Sequence, residues 1–227
     1  MENTLPIAFQ SDGFNLKGWL HLPDIEVPPL VIGCHGLMSS GDSPKQLALA
    51  DKCNQAGIAY FRFDHRGCGN SDGDIERDTS LQGRCNDLSS AWKAVKSLGL
   101  TADDIALFGS SMGGAVCLAF ASQQRVASVV TVAALYQSEG VIHRPDMNVS
   151  FDLSDNLPAI KNILIFHGDR DDVVPLSHAK TIFTCAQDPK NLVIQKNGDH
   201  RMSDKSHQKA FVREAVGWFR KGFDLKR

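Results

Sequence analysis

The run Gly109-Ser110-Ser111-Met112-Gly113 has the form G-x-S-x-G, and a serine in that frame can serve as the nucleophile of acyl transfer. The frame carries meaning only where a strand runs into it and a helix leaves it. Here residues 105–108 are apolar and strand-like, and residues 112–122 are helix-like. A sharp turn between the two crowds the backbone. Glycines at 109 and 113 take away the side chains that would clash, while the Ser111 hydroxyl projects above the sheet. The first N–H groups of a helix have no intrahelical acceptor, which puts the Met112 N–H where it can hold a developing oxyanion.

A serine hydroxyl needs a base within reach and a group that orients the base. Gly198-Asp199-His200 follows the last apolar run and precedes the last amphipathic stretch, which makes His200 the candidate base. The acid is sought on the loop leaving residues 163–166, in His167-Gly168-Asp169-Arg170-Asp171-Asp172-Val173-Val174-Pro175. Asp169, Asp171 and Asp172 compete for the part, and spacing alone does not separate Asp171 from Asp172. A divalent-cation site built from the three is the plain rival, but it lacks the further oxygen ligands that such a site takes. A second oxyanion donor is expected on the loop His35-Gly36-Leu37-Met38, after the third strand, with the backbone N–H of Leu37 as the choice. His35 reads as a structural residue holding that loop, and His207 as the start of the last helix. His21, His65, His143, His167 and His178 read as surface or structural residues. The chain order of serine, acid and histidine differs from the two common protease orders.

These residues need a scaffold that brings four loops to one place. Short apolar runs at Leu30–Cys34, 58–63, 105–108, 126–132, 163–166 and 192–195 alternate with longer amphipathic stretches, the pattern of βαβ units around a mostly parallel sheet with helices on both faces. The helices are expected at Leu81–Ser97, 112–122, 177–186 and 207–221, besides one that opens at Ser43-Pro44-Lys45-Gln46 and stops at Gly57. In that first helix Ser43 can cap, Pro44 suits the first turn and Gln46 can complete a capping box. An antiparallel pair leads the chain, turning at Ser11-Asp12-Gly13 and ending at Pro23. The segment 136–158 is less periodic and reads as a small cap-like excursion rather than a second domain.

With 227 residues, 42% hydrophobic and 22% charged, the chain can bury a sizeable core, and residues 1–227 are expected to form one domain. The 24 Lys and Arg against 26 Asp and Glu leave no basic stripe for a phosphate backbone, so nucleic acid is not an expected partner. No stretch is apolar enough to span a membrane, and residues 1–10 do not read as a secretory leader. Six cysteines without any C-x-x-C pair read as reduced thiols, which makes the cytoplasm the expected compartment.

Together the motifs His35-Gly36, Asp64-His65-Arg66-Gly67-Cys68-Gly69-Asn70-Ser71-Asp72, the Ser111 elbow and His167-Gly168-Asp169-Arg170-Asp171 resemble the α/β-hydrolase superfamily over nearly the full length. The likeness is to its small esterase and serine-aminopeptidase-like branch, which includes bacterial cinnamoyl and feruloyl esterases. In that branch's H-G-x-x-D-x-x-V-P pattern the triad acid is the fifth residue, which the resemblance carries over to Asp171. Members with a large lid insert it after the strand that here ends near Val132, so the resemblance implies a minimal cap. Members that displace at carbon carry an aspartate at the elbow, and Ser111 instead implies acyl chemistry. The resemblance therefore implies a carboxylesterase acting on a small ester through Ser111, His200 and Asp171, with Leu37 and Met112 as oxyanion donors and no metal or organic cofactor. Thioesterase, amidase or peptidase activity on the same residues is the neighbouring alternative. A non-catalytic ligand-binding member of the fold is the alternative of a different class.

Overall fold

The structure is a computed structural model that describes residues 3–141, 147 and 149–225. Strands β1 (Asn3–Ser11) and β2 (Phe14–Leu22) form the leading hairpin, and their turn places Asp12 and Gly13 at positive φ. Six further strands follow: β3 (Leu30–Cys34), β4 (Ala59–Phe63), β5 (Ile105–Ser110), β6 (Val129–Val132), β7 (Lys161–Gly168) and β8 (Gln187–Gln195). They join in one sheet of order β1-β2-β4-β3-β5-β6-β7-β8. The pairs β1–β2 and β2–β4 are antiparallel and the remaining five are parallel.

The helices are α1 (Pro44–Gln55), α2 (Ile75–Asp78), α3 (Leu81–Ser97), α4 (Met112–Ala121), α5 (Leu176–Cys185) and α6 (Lys205–Gly222). Strand alternation decides how they are shared between the faces. Leu30 and Ile32 of β3, with Ile105 and Leu107 of β5, point to the layer of α3, α4 and α5. Val31, Ala106 and Phe108 point to the opposite layer, where Leu49 and Cys53 of α1 meet Phe211, Ala215 and Phe219 of α6. Both faces are covered, so the central strands β3, β4, β5 and β6 are buried on both sides. This is the α/β-hydrolase architecture. Because β3, β5, β7 and β8 run parallel, the loops after them all leave the same edge of the sheet, where ligands of open α/β sheets sit.

Several expected boundaries move. β6 is shorter than 126–132, and β8 begins at Gln187 rather than near 192, since its first half is polar and exposed. Helix α1 starts at Pro44, but the capping box does not form. The Ser43 side chain makes no cap hydrogen bond, and Gln46 is buried, its Oε1 accepting from the Tyr60 hydroxyl at 2.5 Å. A buried phenol without an acceptor costs more than an unfilled cap, and that competition turns Gln46 inward. Both ends of the excursion at 136–158 are described. Gln137 bridges Asp152, Ser138 N–H donates to Phe151 O at 3.0 Å, and Leu153 N–H donates to Tyr136 O at 2.8 Å. His143 and the rest of 142–146, with 148, lie outside the described residues.

Candidate active site

Strand β5 ends against helix α4 with Ser111 between them at φ 53° and ψ −123°, a backbone conformation that a residue with a side chain seldom holds. Hydrogen bonds keep it there. Ser111 N–H donates to Val132 O at 2.9 Å, and Ser111 O accepts from Gly114 N–H at 2.8 Å as α4 begins. The flanking glycines are sterically required. A Cβ on Gly113 would stand 2.2 Å from Cys34 O, and one on Gly109 would stand 2.3 Å from Gly113 O. Close packing of the start of α4 on the end of β3 thus brings the Ser111 turn against the loop after β3. A Cβ on Gly36 of that loop would lie 3.6 Å from the Ser111 Cβ.

His35 opens the loop and is fully buried. Its Nε2 accepts from His65 N–H at 3.0 Å, so Nδ1 carries the proton and donates to Gly36 O at 2.7 Å. Burial, with the charges of His65 and Arg84, keeps the ring well below the ordinary histidine pKa and therefore neutral. Asp64 is also held in structure, accepting backbone N–H groups from Gly41 at 2.7 Å and Asn70 at 2.9 Å.

Geometry separates the three aspartates of the β7–α5 loop. His200 Nδ1 stands 2.8 Å from Asp171 Oδ2 and 3.0 Å from Oδ1. Oδ1 also accepts the N–H groups of Val173 at 2.9 Å and Val174 at 2.8 Å. Asp169 turns away to accept from Asn197 N–H at 2.6 Å, and Asp172 is exposed. The Asp171 side chain is fully buried. Burial alone would raise its pKa, but the hydrogen bonds from His200 and the two valine amides outweigh it and hold the carboxyl below the usual value. Its neighbour His167 lowers its own pKa chiefly through burial, and its Nε2 lies 2.8 Å from Val174 O. The loops carrying Asp171 and His200 meet at Gly168, where a Cβ would stand 2.1 Å from Gly198 O.

Ser111, His200, Leu37 and Met112 line one cavity of about 730 Å³. Its apolar wall includes Leu135, Val141, Val174 and Phe211. Two cations that the motif reading passed over, Lys45 and Arg201, also line it. The position of Arg201 next to His200 was the available signal. Among the described residues no cluster of three His, Cys, Asp or Glu side chains is arranged to hold a metal ion, and all six cysteines are free thiols.

The family model for serine aminopeptidase, S33, matches residues 26–157, and that for the prolyl oligopeptidase family matches residues 145–226. The chain is 28% identical over 222 aligned residues to the palmitoyl-protein thioesterase ABHD10, mitochondrial, of Bos taurus, covering 78% of this chain and 69% of that protein. Among solved structures, Est1E from Butyrivibrio proteoclasticus with ferulic acid bound superposes with a TM-score of 0.83 at 20% identity, covering 96% of this chain and 99% of the other. The α/β hydrolase GrgF from Penicillium sp. sh18 gives 0.83 at 20% identity, with 98% and 99% covered. With one family model spanning more than half of its length, and with this sheet, the chain belongs to the serine aminopeptidase S33 family of α/β hydrolases.

Proposed function

We propose that the protein is a serine carboxylesterase in which Ser111 attacks the ester carbonyl, His200 takes the hydroxyl proton, and Asp171 orients and steadies the resulting imidazolium. The observation that carries this reading is His200, paired with the buried Asp171, lining one cavity with a serine held at positive φ at the head of a helix. His200 presents Nδ1 to Asp171, which leaves Nε2 as the nitrogen for the serine proton. As the carbonyl becomes tetrahedral, its oxygen takes negative charge. The N–H groups of Leu37 and Met112 receive that charge without reorganisation. Collapse expels the alcohol, protonated by His200, and leaves an acyl group on Ser111. A water then attacks the acyl carbonyl, giving its proton to His200, and the acid departs as Ser111 is reprotonated. No step calls on a cofactor.

A cavity of about 730 Å³ with an apolar wall suits a small or modest ester. The thioesterase relative favours acyl thioesters as a second substrate class, because the same attack and oxyanion serve both. The test is hydrolysis of p-nitrophenyl esters of increasing acyl length beside the matching thioesters, with Ser111→Ala as the control. Expected are activity lost in the variant and fluorophosphonate labelling of the wild type alone. A folded Ser111→Ala protein with full activity overturns the mechanism, and a wild type that neither turns over nor labels speaks for a binding protein.

A further inference from the structure

Arg84 lies in the first turn of α3 and is fully buried, yet among the described residues no carboxylate stands within ion-pair distance of it. Its guanidinium instead reaches three consecutive carbonyls of the loop after β3. Nη1 donates to His35 O and Gly36 O, each at 3.3 Å, and Nη2 donates to Leu37 O at 3.0 Å. Nη2 also lies 3.4 Å from Cys68 Sγ. The nearby Asp87 is already committed to Arg66, at 3.0 and 2.7 Å, and to His65. Burial lowers the Arg84 pKa, with the surrounding thiols and Asp87 working the other way. A buried cation held by carbonyls, with its Nε left without a hydrogen-bond partner among the described residues, is an expensive arrangement that a methionine or leucine would fill more cheaply if volume were all that mattered.

We infer that Arg84 is the positioning residue of the oxyanion loop, aiming the Leu37 N–H into the cavity by gripping the opposite end of the same peptide unit. The C=O and N–H of a planar trans peptide point in opposite directions. Holding Gly36 O toward α3 therefore turns the N–H of Leu37 away from α3, on a residue that lines the cavity beside Ser111. The carbonyls on either side are held the same way, so the peptide has no freedom to flip. His35 Nδ1 reinforces the grip on Gly36 O at 2.7 Å. The cation also polarises the peptide it holds, which makes its N–H a stronger donor to an oxyanion.

This inference rests on the serine-hydrolase reading, and its test separates the two. Wild type, Arg84→Lys and Arg84→Met are compared for thermal unfolding, kcat and KM on a p-nitrophenyl ester, and inhibition by a trifluoromethyl ketone, whose adduct with Ser111 bears an oxyanion. Lysine keeps the charge but cannot span three carbonyls. Removing one oxyanion donor outright costs a factor of about 10²–10³, so mis-aiming one lowers kcat about tenfold to a hundredfold. KM should change little, the ketone should weaken in step with kcat, and lysine should fall between arginine and methionine. Folded variants with unchanged kcat and ketone affinity overturn the inference while leaving the triad reading intact. Variants that both lose cooperative unfolding also overturn it, since the guanidinium is then a prop of the core. A wild type that neither hydrolyses the ester nor labels with fluorophosphonate fails the underlying reading instead.

Discussion

Asp171 serves the loop and the imidazole at once. Its Oδ1 accepts two backbone amides that shape the start of α5, and both oxygens face His200 Nδ1. Asn in its place keeps the size but offers an NH₂ where an acceptor is needed, so the imidazole loses the partner that fixes its tautomer. Asp171→Asn is expected to lower kcat about 10³–10⁴-fold with little change in KM, as in other serine triads whose acid becomes an amide. Ester kinetics on the folded variant check this, and a loss below tenfold would show that Asp171 is not the orienting acid. The depressed Asp171 pKa also fixes a sign for stability. Its contribution is complete above the ordinary carboxylate range and is lost as pH falls through the folded value. At this scale the motifs marked Ser111, His200 and a short list of acids, because those residues sit in local frames. Arg84 had no such frame, since its carbonyl partners are 47 to 49 residues away.

Elements whose apolar period is strong were readable to their ends. Leu81–Ser97 is α3 as expected, and Leu30–Cys34 is β3. The first half of β8 was not readable, because Gln187, Asp188 and Lys190 sit on an edge strand where pairing to β7 rather than burial makes the strand. Helix α2 is four residues long and carries no buried side chain, so no pattern announces it. What fastens α3 to the loop after β4 is also nonlocal: Asp87 accepts from Arg66 N–H at 3.1 Å and from its guanidinium at 3.0 and 2.7 Å. The Asp87 pKa is strongly lowered. Burial opposes the charge, but His65 and Arg66 overcome it. Asp87→Asn leaves Arg66 with Asp12 and Ser11, so the cost at pH 7 should lie at the low end of the ~3–5 kcal/mol for breaking a buried pair. A lowered carboxyl pKa stabilises fully above about pH 4 and progressively less below it. The gap between wild type and Asp87→Asn in urea midpoints should therefore be largest at pH 7 and shrink between pH 4 and pH 2.5. A gap independent of pH would assign the loss to packing.

Taken as a whole, the molecule is weakly anionic, with 24 basic against 26 acidic side chains, and that balance alone would mildly disfavour anionic substrates. The cavity reverses the sign locally. Lys45 and Arg201 line it, and among the described residues no Asp or Glu does. The two are adjacent, since Lys45 Nζ donates to Arg201 O at 3.0 Å. Asp199 is the acid whose field reaches Lys45, and it is bound to Ser203 N–H at 2.7 Å. Asp199 and the ionised Asp171 offset the two cations in total charge, but Asp171 is fully buried behind His200 whereas Lys45 and Arg201 reach the cavity surface, within a Debye length of any bound ester, which is ~10 Å at 0.1 M salt. The overall charge lies mostly beyond that range, so the local cations should decide. An ester whose acyl chain ends in a carboxylate should therefore show a KM about two- to fivefold below that of its neutral isostere, the range of partly exposed ion pairs, and a cationic analogue the reverse. The preference should fade as salt rises from 0.05 to 0.5 M and should shrink in Lys45→Gln combined with Arg201→Gln. Equal KM values for all three esters at low salt would mean that the two side chains cover apolar wall with their stems while their charges remain in solvent.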